Sequence, residues 1–289
     1  MRLLLTGALC FFLLVPVATG AGTWHVRQDG TGDCATIQAC VDLAGNGDTV
    51  LVGQGVYYET VFISSKTDFV LKAEGEISQT VMKSGPAIVC RDVLGHSVIE
   101  GLNFDQCSSW TYAGGAIFAA TSSLTIRGNI FFKCVMYGLE GTGGWGGAMY
   151  LVSSTGNIVG NTIYACASES GGGIGLCESP SIVVDRNIIA GCSGGGIYSL
   201  DCTPVISCND TWNNTPSNYG GIIPDQTGMN GNISLDPEFC NPAAKNFLLN
   251  CTSPCLSAPG CGRMGALPVG CGPTTVDQTT WGRIKALFR

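Results

Sequence analysis

Cleaving a glycosidic bond hydrolytically takes two carboxyl groups that face one site. The acidic residues of this sequence in or near its variable segments are Asp105, Glu140 and Glu169. A lyase site would instead want clustered carboxylates around Ca²⁺, with Arg or Lys as base. Arg127 and Lys133 are the nearest basic residues. The candidate catalytic set is therefore Asp105, Arg127, Lys133 and Glu140. Glu100 and Arg127 also occupy equivalent positions in neighbouring repeats, which predicts a solvent-screened ion pair between them. His25 and His96 stand apart from any Ser or Cys nucleophile pattern and read as turn residues.

Aromatic residues offer a second chemistry. A sugar ring presents an apolar C–H face that suits an aromatic platform with polar neighbours. Phe132 and Tyr164, with Trp212 in their register, follow inward-facing positions and so point outward. Phe118, Tyr150 and Tyr198 do the same in a second column. The variable segments add Trp110, Tyr112, Tyr137 and Trp145. The competing expectation is that these segments fold back and bury the rings as a satellite cluster.

The elements that must position these residues follow from repetition. Gly101 to Cys107, Gly128 to Cys134, Gly160 to Cys166 and Arg186 to Cys192 align, with a worn copy from Cys208 to Trp212. Their starts lie 27, 32, 26 and 22 residues apart. Each is followed by a glycine-rich anchor ending at Ile117, Met149, Ile174, Ile197 or Ile222. From that anchor to the next segment the spacing is 11, 11, 12 and 11 residues. Length therefore varies at one corner only, as in a solenoid whose loops grow from one face.

Short β-branched runs such as Leu124-Thr125-Ile126 and Ile182-Val183-Val184 read as strands. Period-two alternation turns three columns inward. These are Ile99, Ile126, Ile158, Val184 and Ile206; then Phe104, Phe131, Ile163 and Ile189; then Ile117, Met149, Ile174, Ile197 and Ile222. Three inward columns imply three strands per coil, hence an all-β fold, a parallel β-helix. The recurring Asn suits a turn whose amide bonds to the next coil. Upstream, Thr49 to Val52, Thr60 to Ile63 and Phe69 to Lys72 read as earlier strands. Thr36 to Ala44 reads as a short amphipathic helix that caps the open first coil.

Composition agrees with this picture. The chain has 289 residues, 42 of them Gly, with 12% charged, 45% hydrophobic and a net charge of −7. Coiled-coil and disordered classes need more charge. A collagen period is absent. The acidic balance argues against a nucleic-acid partner. Arg2, the apolar run Leu3 to Val17 and the small residues after it predict a secretory signal peptide over residues 1–22, which leaves no transmembrane segment. Export to the medium or cell surface would permit disulfides among the fifteen cysteines that remain after Cys10 leaves. That odd number leaves at least one unpaired. Zinc is disfavoured, because only two histidines exist and no two CxxC pairs sit at ligand spacing.

Asp29-Gly30-Thr31-Gly32-Asp33, Thr36-Ile37-Gln38-Ala39, Gly47-Asp48-Thr49-Val50 and Gly55-Val56-Tyr57-Tyr58-Glu59 resemble the opening of secreted bacterial right-handed parallel β-helix proteins of the pectin-lyase-like superfamily. The resemblance spans roughly residues 24–270 and implies the fold strongly. It implies activity weakly, since the superfamily includes lyases, hydrolases, esterases, epimerases, phage tailspikes and adhesins. The Gly55 to Glu59 string fits GxYxE of pectin methylesterases, but that family's other strings and its paired aspartates are absent. Arg283-Ile284-Lys285 spells RIK of polygalacturonases without its partner motifs. The Cys-rich region from Asn232 to Cys271 resembles a terminal coil closing the stack.

These readings predict a β-helix domain over residues 23–271, followed by a linker and tail over 272–289. The tail could serve as a sorting or surface-attachment signal. The expected function is association with an extracellular or surface polysaccharide at the aromatic corner, without a resident cofactor. A divergent polysaccharide lyase, with Ca²⁺, or a glycoside hydrolase is the first alternative. A structural or adhesive spacer is the second.

Overall fold

The computed structural model describes residues 20–111, 114–138 and 144–272. Three parallel sheets run the length of a stack, with eight, seven and seven strands. We call them A, B and C. The chain visits them in that order in every coil, for example Ser123–Arg127 in A, Ile130–Phe132 in B and Met149–Val152 in C. The predicted three-strand coil is therefore present.

Register follows the repeats. In sheet A, Ile126 pairs with Ile99 and Ile158, and Val184 with Ile158 and Ile206. In sheet B, Phe131 sits between Phe104 and Ile163, with Ile189 beyond. All face one continuous core. Phe104 and Phe131 stack there with centroids 4.7 Å apart.

The third column departs from expectation at its end. Tyr219, not Ile222, pairs with Ile197, and Ile222 is 50% exposed. The reason is local. Gly220 lies opposite Tyr198, where a Cβ would come within 2.9 Å of the tyrosine ring. The glycines thus belong inside this strand rather than before it. Tyr219 then points inward, and its hydroxyl accepts a hydrogen bond from Thr211 at 2.8 Å.

The corner between sheets A and B is held by a ladder of buried amides at Asn129, Asn161, Asn187, Asn209 and Asn232. Each Oδ1 accepts the backbone N–H at the equivalent position one coil earlier, at 2.9–3.0 Å. Each Nδ2 donates to the carbonyl of an inward sheet A residue, from Ile99 through Ile206. A buried turn would otherwise leave these groups without partners. On the B-to-C corner, buried thiols at Cys107, Cys134, Cys166 and Cys192 fill the same position on successive coils.

The N-terminal end is covered as anticipated. Helix α1 (Ile37–Leu43) buries Ile37, Cys40 and Val41 against the first strands. Thr36 caps it, and the Glu59 carboxylate accepts the N–H groups of Ile37 and Gln38, both at 2.9 Å. Tyr57 is buried and donates to the Gly53 carbonyl at 3.0 Å. The GxYxE string therefore does structural work here.

Asn232 and Ile233 extend the stack at one corner beyond Asn209 and Asp210, and the rest of the C-terminal region leaves the axis of the stack. It folds back along the flank. Phe239–Asn241, Asn246–Asn250 and Val269–Cys271 form a small sheet of their own. Its surroundings cover the outer face of sheet B, burying Ile130, Phe132, Ile188 and Ala190 with Phe247, Leu249, Cys255 and Met264. That face is apolar, so covering it with residues 239–267 removes it from water. Disulfides join Cys34–Cys40, Cys208–Cys261 and Cys240–Cys271. Nine further cysteines among the described residues are free, all buried except Cys251.

Candidate functional site

The B-to-C corner carries the variable segments. Two short paired strands, Ser108–Ser109 and Val135–Met136, project from it. One residue beyond them, on adjacent coils, stand Trp110 and Tyr137. Their rings stack with centroids 4.1 Å apart and planes 15° from parallel. They are 59% and 41% exposed. Trp110 and Tyr137 thus form a stacked aromatic pair open to solvent. They border a cavity of about 330 Å³ that also takes in Met136, Ala167, Ser168 and Glu169. Glu169 accepts the Gly144 N–H at 3.3 Å, which fixes the carboxylate beside the platform. Tyr112 and Glu140 lie outside the described residues.

A second aromatic array follows the outer face of sheet C. Phe118 pairs with Tyr150, ring centroids 6.3 Å apart. Trp145 reaches over from the corner to lie 6.2 Å from Tyr150 and 5.4 Å from Tyr198. Gly175 separates the two tyrosines in the ladder. A Cβ there would approach the Tyr150 ring to 3.0 Å, so the glycine lets the ring lie against the sheet. Burial, then a hydrogen bond with the Cys177 thiol, pushes the Tyr150 hydroxyl up from its ordinary pKa. Phe118 is 9% exposed, so the accessible part of this array is Trp145, Tyr150 and Tyr198.

The sheet B column behaves as the competing expectation described. Phe132 and Tyr164 face outward, centroids 6.3 Å apart, but Phe247 and Phe239 pack over them. Lys133 lies 5.2 Å over the Phe132 ring. Phe132 thus belongs to a buried cluster, and Tyr164 is packed at its edge.

Asp105 sits under the same cover, 4% exposed at the side chain. It pairs with Lys83 at 3.0 Å and Lys245 at 2.6 Å. Burial would raise its pKa, but the hydrogen bonds from Lys245 and Lys83 outweigh that and hold it below the usual carboxylate range. It is an anchored anion, unsuited to donating a proton. Arg127 pairs with Glu100 at 2.9 Å, as their shared register predicted, and Lys72 lies 3.6 Å from the same carboxylate. Arg127 is at the A-to-B corner, so it does not join Asp105 or Lys133 in one site.

Cys177, Glu178 and Asp201 place ligand atoms within 4.8 Å of one another. Each is already engaged. The Glu178 N–H donates to Asp201 and the Ser153 hydroxyl to Glu178, both at 2.7 Å. Burial keeps the Cys177 thiol above its ordinary pKa, which disfavours the thiolate a metal needs. Sequence reasoning missed Phe239, Phe247 and Lys245 as partners of the sheet B column. They lie far along the chain in a segment without repeats.

No curated protein matches the chain. The family described as right handed beta helix region matches residues 53–234, and that span includes both aromatic arrays and the coils that carry them. The three-sheet coil, the amide ladder and the match over most of the stack together place this chain in the right-handed β-helix family.

Proposed function

We propose that this is an exported β-helix protein that binds an extracellular or surface polysaccharide at the B-to-C corner, with binding rather than turnover as its role. The observation that carries the reading is the exposed Trp110–Tyr137 stack beside Glu169. A ring pair of this kind offers a flat apolar face to sugar C–H groups. Glu169 and Ser168 supply polar partners for hydroxyls at its edge. Trp145, Tyr150 and Tyr198 extend the aromatic surface along sheet C. Binding is favoured over hydrolysis because Asp105 is committed to two lysines. The three disulfides suit an oxidising compartment.

The test is affinity electrophoresis through gels containing a panel of neutral and acidic polysaccharides, with the fold followed by circular dichroism. Retardation in at least one gel is expected. Trp110→Ala should weaken it about five- to tenfold, the worth of an aromatic platform. A folded Trp110→Ala, Tyr137→Ala double variant that is retarded as strongly as the parent overturns the reading, and so does migration unaffected by every glycan.

A further inference from the structure

Sheet A strands end at a corner that repeats down the stack. Glu100, Arg127, Val159, Asp185 and Ser207 occupy one register. The next residue on each coil has positive φ: Gly101, Gly128, Gly160, Arg186 and Cys208, between 53° and 72°. Glycine tolerates this without cost, and a long side chain does not. Arg186 stands where the three preceding coils have glycine.

The fold-back segment delivers another arginine to this corner. Cys261 is disulfide-bonded to Cys208. Four residues later the Gly265 N–H donates to the Arg186 carbonyl at 2.8 Å. Between these two ties stands Arg263. Arg127, Arg186 and Arg263 then line one cavity of about 280 Å³, with Gly128 and Gly160 among its walls and Glu100 at its edge. A Cβ on Gly128 would meet nothing within 4 Å, so the concavity exists because these positions lack side chains.

The charge there is out of keeping with the chain. The net charge is −7, yet three of the five arginines among the described residues meet at this one cavity. Two carboxylates orient two of them. Glu100 holds Arg127, and Asp185 holds Arg186 at 2.7 Å while accepting from Ser207 at 3.0 Å. Lys72 shares Glu100. The three arginines lining the cavity thus outnumber the carboxylates that hold Arg127 and Arg186. Arg263 has no carboxylate partner among the described residues.

We propose that this cavity is a binding site for a tetrahedral oxyanion, a phosphate or sulfate ester, held by Arg127, Arg186 and Arg263. Guanidinium forks match the oxygens of such a group. Here they come from two coils and a separate segment, so they approach from different sides. A planar carboxylate would satisfy fewer of them. The cavity is open enough for the residue that carries the ester. The site is on a different corner from the aromatic platform, and it stands or falls independently of glycan binding there.

The test is isothermal titration of the full-length mature protein at low salt with glucose 6-phosphate, dextran sulfate, inorganic phosphate and glucuronate. Saturable binding of at least one of the first three is expected, with glucuronate about tenfold weaker. Arg263→Gln should weaken that binding about tenfold or more, the worth of a charge-assisted hydrogen bond. Lys133→Gln, which removes the same charge elsewhere, should leave it unchanged. Preference for dextran sulfate identifies a sulfated polymer as the source, and preference for glucose 6-phosphate a phosphorylated sugar. Equal binding of inorganic phosphate identifies the free ion. Glucuronate binding as tight as the others, equal losses in Arg263→Gln and Lys133→Gln, no loss in Arg263→Gln, or no binding of any probe overturns the proposal.

Discussion

Lys245 Nζ donates to Asp105 Oδ2 at 2.6 Å across 140 positions of sequence. This contact ties the fold-back segment to the third coil of the stack, at the edge of the aromatic cluster formed by Phe132 and Phe247. Asp105, a catalytic candidate by its residue type, serves here as a fastening.

Lys245→Met should loosen that fastening. Lys83 remains beside Asp105 and the lysine is partly in solvent, so the loss is about 1–2 kcal/mol rather than the full cost of an orphaned buried charge. Urea denaturation measures it. Limited proteolysis should show earlier cleavage between residues 235 and 272 while the coils persist.

Asp210 sets a pH dependence. It is fully buried on the outer face of sheet B, where the Cys255 thiol donates at 3.1 Å and the Leu235 N–H at 3.1 Å. Burial pushes its pKa up to about 6, above the value of about 3.9 expected in the unfolded chain. The native state therefore holds this proton more tightly. Its stabilising effect is complete below pH ~4 and is lost as pH rises through ~6, a change on the order of 3 kcal/mol. Asp210→Asn cannot titrate. The stability difference between parent and variant, followed by urea denaturation from pH 4 to 7, should shift against the parent as pH rises.

The amide ladder should be intolerant of truncation. Asn161→Ala removes the acceptor of the buried Asn129 N–H and the donor to the Ile126 carbonyl. Two buried backbone groups lose partners, so a loss of about 2–5 kcal/mol is expected. Asn161→Asp keeps the acceptor and should cost differently, because it buries a charge. Thermal unfolding of both variants checks this.

Thiol chemistry should separate the cysteines by burial. In protein lacking residues 1–22, native alkylation should label Cys251 alone, since the other eight free thiols are buried. Alkylation after denaturation without reductant should label nine, with Cys34, Cys40, Cys208, Cys240, Cys261 and Cys271 remaining as disulfides. Peptide mapping by mass spectrometry reads both results.

The sequence by itself determined the coil. Strand alternation and a repeat of about one coil are local signals, and stacking copies them into register. That is why Ile126 meets Ile99, why Asn161 bonds to Asn187, and why the Glu100–Arg127 pair could be anticipated. The register departed at Ile222, where Gly220 takes the place opposite the Tyr198 ring and Tyr219 turns inward. What lay outside the repeat had no such signal. Only the tertiary structure decided that Phe132 and Tyr164 are covered while Trp110 and Tyr137 are not, that Asp105 belongs to Lys245, and that Arg263 meets Arg186. These contacts join a periodic stack to an aperiodic segment, and their geometry is set by which apolar face most needs cover rather than by any spacing along the chain.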